Sequence, residues 1–289
     1  VDNYQRLDEV YIALDREQIR RTKNIRLIPT LSNRRGGKRS YAEWAHVIGI
    51  FQTLMFVNSR RKSGNTIVDL GSGTGILAIA AEPLVSQGGR YIGLDVNQAD
   101  IAFCAQHYPS PPFEFQHLNA HNAAYAQEQR GQKPWPMEDN SADMVTALSV
   151  WSHLDENDAI FNLKEAQRIM RPGGKSIITT FILDDTYKGL SASSGDETGA
   201  YHLTPRDLWR FDKPAYDSLD WFTTDWAEVP EKAIAFNERG LKRMLDETGL
   251  KLTAFHPGCW KETPGIFFQD ILILEKVSRK DADRADEIL

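Results

Sequence analysis

Asp69 and Asp95 are the two acidic residues whose placement can do chemistry. Asp69 lies in the apolar run Thr66-Ile67-Val68-Asp69-Leu70, and Gly71-Ser72-Gly73-Thr74-Gly75 follows directly. Glycine adopts positive φ without strain and lets a ligand approach the backbone. A helix beginning at Ile76 would turn its free N–H groups toward that ligand. Asp95 closes the next apolar run, Tyr91-Ile92-Gly93-Leu94-Asp95. It stands about twenty residues beyond the last glycine, where a carboxylate can accept from two ribose hydroxyls. The pattern is that of an adenosine-type cofactor site, for either a dinucleotide or S-adenosylmethionine.

Two details favour S-adenosylmethionine. The dinucleotide fingerprint GxGxxG requires glycine at position 76, and Ile76 stands there. Asp69 would also repel a pyrophosphate, whereas it would attract the methionine ammonium. The plainer alternative for Asp69 is that it caps the following helix.

The elements that must position these residues follow from periodicity. From about residue 65, strand-like runs alternate with helical ones: TIVDL (66–70), YIGLD (91–95), FEFQHL (113–118), MVTAL (144–148) and KSIITTFIL (175–183). Helices are expected at Ile76–Val85, Gln98–Gln106 and Asn157–Met170. Such alternation predicts an α/β fold, a mostly parallel, doubly wound sheet covered by helices on both faces. A helix over 237–247 ends at Thr248-Gly249, and two further strands follow, 251–256 and 267–276. Ahead of the alternating part, 3–23 reads as an amphipathic helix. Ser40 opens a second helix through a capping box with Glu43. Residues 184–232, rich in Trp, Tyr, Phe, Asp, Gly and Ser, break the alternation and read as an insertion. The expected organisation is a helical arm at 1–62 and one domain at 63–289, with 184–232 as its acceptor-binding insertion.

These motifs, taken in order, resemble a class I S-adenosylmethionine-dependent methyltransferase of the small-molecule type. VDLGSGTG is similar to the family's first motif and YIGLDVN to its second acidic strand. ADMVTALSVWSHL resembles the fourth-strand motif, and RIMRPGGKSIITT the turn into the fifth strand. The resemblance covers about 64–183 and the closing strands at 251–276. It implies a seven-stranded, Rossmann-like sheet whose last strand is antiparallel, with S-adenosyl-L-methionine as cofactor. By position it implies Asp69, Gly71, Ser72 and Gly73 around the methionine part, Asp95 at the ribose and Val96 on the adenine. Asn119 stands where the family usually has an Asp near the adenine amine, followed by Ala120; its side-chain oxygen can still accept from an amine. Leu148 and Ser149 would lie beneath the cofactor. Arg171-Pro172-Gly173-Gly174 is expected to be a structural turn at the N-terminal end of a strand, away from the ligand crevice.

The acceptor side is read from the segment after the fourth strand. Ser149-Val150-Trp151-Ser152-His153-Leu154 lacks the Asn/Asp-Pro-Pro-Tyr/Phe of methyltransferases acting on base amines, and its ending is similar to that of small-molecule enzymes. Methyl transfer is an in-line displacement that needs alignment, and a base only where the acceptor holds its proton. His153 is the candidate base; the alternative is that it fixes the loop before a helix near Asp155. His202 in the insertion is a second candidate. Trp209, Phe211, Tyr216, Trp221, Phe222 and Trp226 either line an acceptor pocket or form the insertion's own core, with Trp151 and Trp221 the expected acceptor contacts. Tyr41 and Trp44 either fold over the cofactor or pack on the sheet.

Composition frames these readings. The chain has 289 residues, 41% hydrophobic and 26% charged, values that exclude disorder, collagen-like repeats and coiled coil as the main architecture. The formal charge is −6, yet 1–62 holds thirteen Lys and Arg against six Asp and Glu. Arg34, Arg35, Lys38 and Arg39 could draw an anionic acceptor or simply be solvated. Cys104 and Cys259 have no metal-ligand spacing, so no metal is expected. No signal peptide or membrane span is read, and a cytoplasmic, membrane-free protein is expected. The leading expectation is methyl transfer to a small molecule, at oxygen before nitrogen, with nucleic acid an unexpected partner. An RNA or protein methyltransferase using the basic arm, a non-catalytic S-adenosylmethionine-binding protein and, more distantly, a nicotinamide reductase stay open.

Overall fold

The computed structural model describes residues 23–35, 40–120, 124, 132–190 and 198–277. The helix expected over 3–23 and the basic residues Lys38 and Arg39 lie almost wholly outside them, as does most of the charged C-terminal segment. The main sheet has seven strands in the order β10-β11-β5-β4-β1-β2-β3: β1 Thr66–Leu70, β2 Arg90–Asp95, β3 Phe113–His117, β4 Ala142–Ala147, β5 Met170–Thr180, β10 Leu250–His256 and β11 Asp270–Lys276. β11 is antiparallel to both neighbours, as the resemblance implies. The chain divides into two compact units, one ending at Leu118 and one beginning at Asn119.

In the first unit, β1, β2 and β3 run parallel, with Asp69 opposite Gly93 and Asp95 opposite His117. Helix α1, Tyr41–Asn58, starts where Ser40 and Glu43 complete the expected capping box, at 3.0 and 2.9 Å. Tyr41, Trp44, Val47, Ile48, Phe51, Leu54 and Met55 form its buried stripe. That stripe follows helical spacing, and α1 packs against helix α2, Ile76–Val85. Tyr41 and Trp44 are therefore core residues of this unit. Helix α3, Gln98–His107, is capped by the Asn97 side chain.

In the second unit, α4, Glu156–Ile169, is capped by Asp155. The expected strand over 175–183 is in fact two. β5 ends at Thr180, and β6, Ile182–Leu183, belongs to a second sheet. The physical reason lies in Asp270, whose carboxylate accepts the Ile182 N–H at 2.9 Å and so ends the ladder with β11. The second sheet has the order β6-β9-β8-β7, adding β7 Lys213–Pro214, β8 Trp221–Thr223 and β9 Ile234–Asn237. It reaches beyond 184–232 at both ends. Short helix α5, Asp185–Leu190, follows β6, and α6, Glu238–Thr248, follows β9 and stops at Gly249 in the left-handed conformation. Phe181, Phe211 and Trp260 form an aromatic cluster with Tyr187, Trp209 and Phe268 packed against it. Burying each such ring is worth about 1.5–3 kcal/mol. Among the described residues, no helix is long and apolar enough to cross a membrane.

Candidate active site

The glycine turn folds as its sequence requires. Gly71, Gly73 and Gly75 all have positive φ, at 67°, 50° and 89°. The turn hangs from β2: the N–H groups of Gly71 and Ser72 both donate to the Leu94 carbonyl, at 2.7 and 3.1 Å. Gly75 is sterically obligatory, because a Cβ there would lie 2.5 Å from the Tyr108 hydroxyl. That hydroxyl donates to the Thr74 and Gly75 carbonyls at 2.9 and 3.1 Å, pinning the turn from the protein side. On the other side there is room, since a Cβ on Gly73 would meet nothing within 4 Å.

Asp95 ends β2 and is buried. One carboxylate oxygen accepts the Gly73 N–H at 2.7 Å, the other the Asn97 N–H at 2.8 Å. Burial raises its pKa, and those two N–H donors oppose the rise. Each oxygen keeps a lone-pair direction for a hydroxyl. Asp69 is buried and accepts the Tyr91 hydroxyl. It does not cap α2, whose N-cap is Gly75 with no side-chain bond. The Ser72 and Thr74 hydroxyls are buried, and among the described residues they have no hydrogen-bond partner. Buried hydroxyls left without partners cost stability, so a turn that carries two of them fits a polar ligand. Val96 is half-buried, and its carbonyl accepts from His117 at 3.1 Å. With open space over Gly73, two aligned carboxylates and orphan hydroxyls, these residues fit S-adenosylmethionine.

The second unit carries the remaining expected residues. Asn119 is exposed and Ala120 half-buried. Leu148, half-buried, follows β4 and leads into Ser149, which has φ of 60°. The Ser149 N–H donates to Thr179 Oγ1 at 2.7 Å, and Thr179 in turn donates to Gln269 Oε1 at 2.6 Å. Gln269 Nε2 returns two N–H bonds, to Ser149 and Ser152 Oγ at 3.1 and 3.0 Å. This closed ring fixes the start of the turn Trp151–His153. His153 Nδ1 lies 2.7 Å from the Glu231 carbonyl. A carbonyl only accepts, so the proton sits on Nδ1 and the neutral ring's lone pair on Nε2. Burial lowers the imidazole pKa below 6.5, against the opposing pull of the Glu231 carbonyl.

Of the acceptor residues read from sequence, His202 and Trp209 meet at Thr204 Oγ1 and both pack on Phe268, with Trp226 against Trp209. Trp151 and Trp221 are wholly buried. Trp221 packs against Phe236 and the backbone of Gly240, within the second sheet and its helix. His202 is buried with both nitrogens engaged, Nδ1 with Thr204 Oγ1 and Nε2 with Glu262, each at 2.8 Å. Arg34 and Arg35 are also taken up internally. Arg34 donates to the Pro29 carbonyl at 3.0 Å, and Arg35 to Asp100 at 3.0 Å. Tyr91, Tyr108, Thr179 and Gln269 escaped the sequence reading. Tyr91 alone carried a signal, sharing a strand face with Gly93 and Asp95 by two-residue alternation.

Comparison with known proteins accords with this geometry. Residues 68–178 match the family model described as "Methyltransferase domain". These residues carry a class I S-adenosylmethionine-dependent methyltransferase domain. One relative is the ubiquinone/menaquinone biosynthesis C-methyltransferase UbiE of Escherichia coli (strain K12 / DH10B). It is 24% identical over 149 residues, covering 50% of this chain and 53% of the relative. The chain thus spans about half the length of the curated relatives it matches. Among solved structures, the PH0226 protein from Pyrococcus horikoshii OT3 superposes with a TM-score of 0.53 at 14% identity, covering 87% of this chain and 97% of that one. A chain from the complex of the Haloferax volcanii Trm112 methyltransferase activator with a methyltransferase gives 0.51 at 13% identity, covering 82% and 92%. At these identities the two structures share the fold. The family's cofactor is S-adenosylmethionine, which the first unit's donor set suits.

Proposed function

We propose that this chain transfers a methyl group from S-adenosylmethionine to a small-molecule acceptor, at oxygen first and nitrogen second. The observation that carries the reading is the coupling of the open glycine turn to Asp95 through the Gly73 N–H at 2.7 Å. When bound, the cofactor supplies an electrophilic methyl on a sulfonium. The chain's residues would then divide the work. Asp69 offers charge to the methionine ammonium, with Gly71, Ser72 and Gly73 as the backbone wall. Asp95 accepts from the ribose hydroxyls. Val96 covers one adenine face. Asn119, Ala120 and Leu148 belong to the second unit, and their roles toward the adenine rest on the family resemblance alone.

His153 is proposed as the base that takes the acceptor's proton on Nε2. Its lowered pKa favours the neutral ring at pH 7, and the Glu231 carbonyl fixes the tautomer. Trp151 and Trp221 are enclosed by protein and His202 is paired to Glu262, so no acceptor contact is proposed for these three. A second reading, methylation at carbon, is favoured by the likeness to UbiE, a C-methyltransferase. Carbon beside an ionised hydroxyl would need the same proton removal. An RNA or protein acceptor draws less support, since Arg34 and Arg35 are occupied internally.

The test is transfer of tritiated methyl from S-adenosylmethionine to a panel of phenols, amines, quinols and bulk RNA. Label on a small acceptor sustains the proposal, and the product's position decides between oxygen, nitrogen and carbon. Label on RNA with steep salt dependence would replace the acceptor class. Tight S-adenosylhomocysteine binding without turnover on any acceptor would mean a non-catalytic binding protein.

A further inference from the structure

We infer that Tyr91 is a positioning residue for the methionine end of the cofactor, acting through Asp69; this rests on the proposed role of Asp69 toward the ammonium. Tyr91 stands opposite Ile67 in the β1–β2 register, and two residues on Gly93 stands opposite Asp69. Gly93 has no side chain to come between, so the Tyr91 phenol reaches the neighbouring strand and donates to Asp69 Oδ2. Both residues are buried, so no bulk water competes for that bond.

The ring cannot easily swing away. Phe113 and Phe115 lie against it, with centroids 5.9 and 5.8 Å distant and their planes steeply inclined. Gly93 is equally constrained, since a Cβ there would lie 2.7 Å from Phe115 and 2.8 Å from Ser72 Oγ. The strand face Tyr91-Gly93-Asp95 is therefore a unit of three tasks. Tyr91 orients one carboxylate, Gly93 leaves the space, and Asp95 is the other carboxylate. A phenol donates strongly to a carboxylate, so the bond aims Asp69. Burial and the Asp69 charge keep the phenol itself protonated, well above its ordinary pKa, and so always a donor.

The test compares two probes in calorimetry, S-adenosylhomocysteine and 5′-methylthioadenosine, which lacks the amino-acid end. Wild type should prefer S-adenosylhomocysteine. Tyr91→Phe keeps the ring and removes the hydroxyl. It should weaken S-adenosylhomocysteine roughly tenfold, the scale of one hydrogen bond to a charged group, and leave methylthioadenosine unchanged. In an Asp69→Asn background the same change should have little further effect, which a merely structural tyrosine would not show. Equal weakening of both probes by Tyr91→Phe, or an unchanged preference, overturns the positioning role. A wild type that does not prefer S-adenosylhomocysteine overturns instead the reading of Asp69 on which it rests.

Discussion

Asp95 holds the glycine turn from the neighbouring strand: its Oδ2 accepts the Gly73 N–H at 2.7 Å while Oδ1 accepts that of Asn97 at 2.8 Å. One carboxylate at the end of β2 thereby sets the shape of the turn after β1 and faces the cofactor's ribose in the proposed site. Asp95→Ala should lose both tasks. S-adenosylhomocysteine affinity should fall by about 1.5–3 kcal/mol, the range for a charge-assisted hydrogen bond. Asp95→Asn keeps one acceptor oxygen and should fall between the two. Calorimetry that finds the alanine variant binding as tightly as wild type would remove Asp95 from the site.

The ring of Ser149, Ser152, Thr179 and Gln269 makes a prediction about strain. Ser149 sits at φ of 60°, a region that costs a residue with a Cβ roughly 1 kcal/mol or more. Both Ser149→Ala and Ser149→Gly remove its hydroxyl, but only glycine relieves the backbone. Thermal unfolding should therefore show the glycine variant more stable than the alanine variant by about 1 kcal/mol. Gln269→Leu leaves the buried Thr179 hydroxyl without its acceptor and should cost about 1–3 kcal/mol. An alanine variant as stable as the glycine one would mean that the turn relaxes out of the left-handed region.

What could be read from residues alone follows a physical divide. The β1–turn–α2 unit was legible because backbone conformation forces residue type there: positive φ selects glycine and an acidic strand end faces the turn. The capping box at Ser40 and Glu43 was legible for the same reason, since two side chains three residues apart each accept the other's backbone N–H. The split at Phe181 was not legible. It depends on Asp270, distant in sequence, taking the Ile182 N–H, and no local pattern in KSIITTFIL announces it. The aromatic residues of the insertion show the same limit. Composition flags them, but only tertiary contacts show that Trp221 and Phe211 are buried. His202 was visible as a histidine and invisible as a residue already paired to Glu262.

Lys261 is the strongest case of chemistry hidden from the sequence. It is fully buried, and its ammonium lies 2.5 Å from Asp184 and 2.9 Å from Asp270. Asp270 also accepts from Gly258, Ile182 and Trp260, so it ties β11 to the start of the second sheet. Burial pushes the Asp270 carboxyl upward, and Lys261 and the N–H donors hold it down. Lys261→Met should destabilise by about 3–5 kcal/mol, because it strands a buried carboxylate. Adding Asp270→Asn should return part of that loss. Urea unfolding of the two variants reads the difference, and a double variant no more stable than Lys261→Met would show that the ion pair is not the reason for the loss.

His153 gives the prediction with the sharpest pH signature. Its Nδ1–H is spent on the Glu231 carbonyl at 2.7 Å, and burial lowers its pKa below 6.5. As a base it works only when neutral. Turnover should therefore rise with pH, pass its half-point below 6.5 and stay flat above. Stability should follow the same sign. The unfolded chain takes up the proton first as pH falls, so the contribution of His153 is present above pH 6.5 and is lost as pH drops through the folded-state value. His153→Ala should lower turnover by about 10²–10⁴-fold, the usual worth of general-base assistance, and leave S-adenosylhomocysteine affinity nearly intact. His153→Gln separates the two roles, because its amide can still donate to the Glu231 carbonyl while it cannot take a proton. If the glutamine variant keeps full turnover and the same pH profile, His153 only fixes the loop, and alignment alone carries the rate. If it keeps stability and cofactor affinity but loses turnover together with the acid limb of the profile, the imidazole is the base.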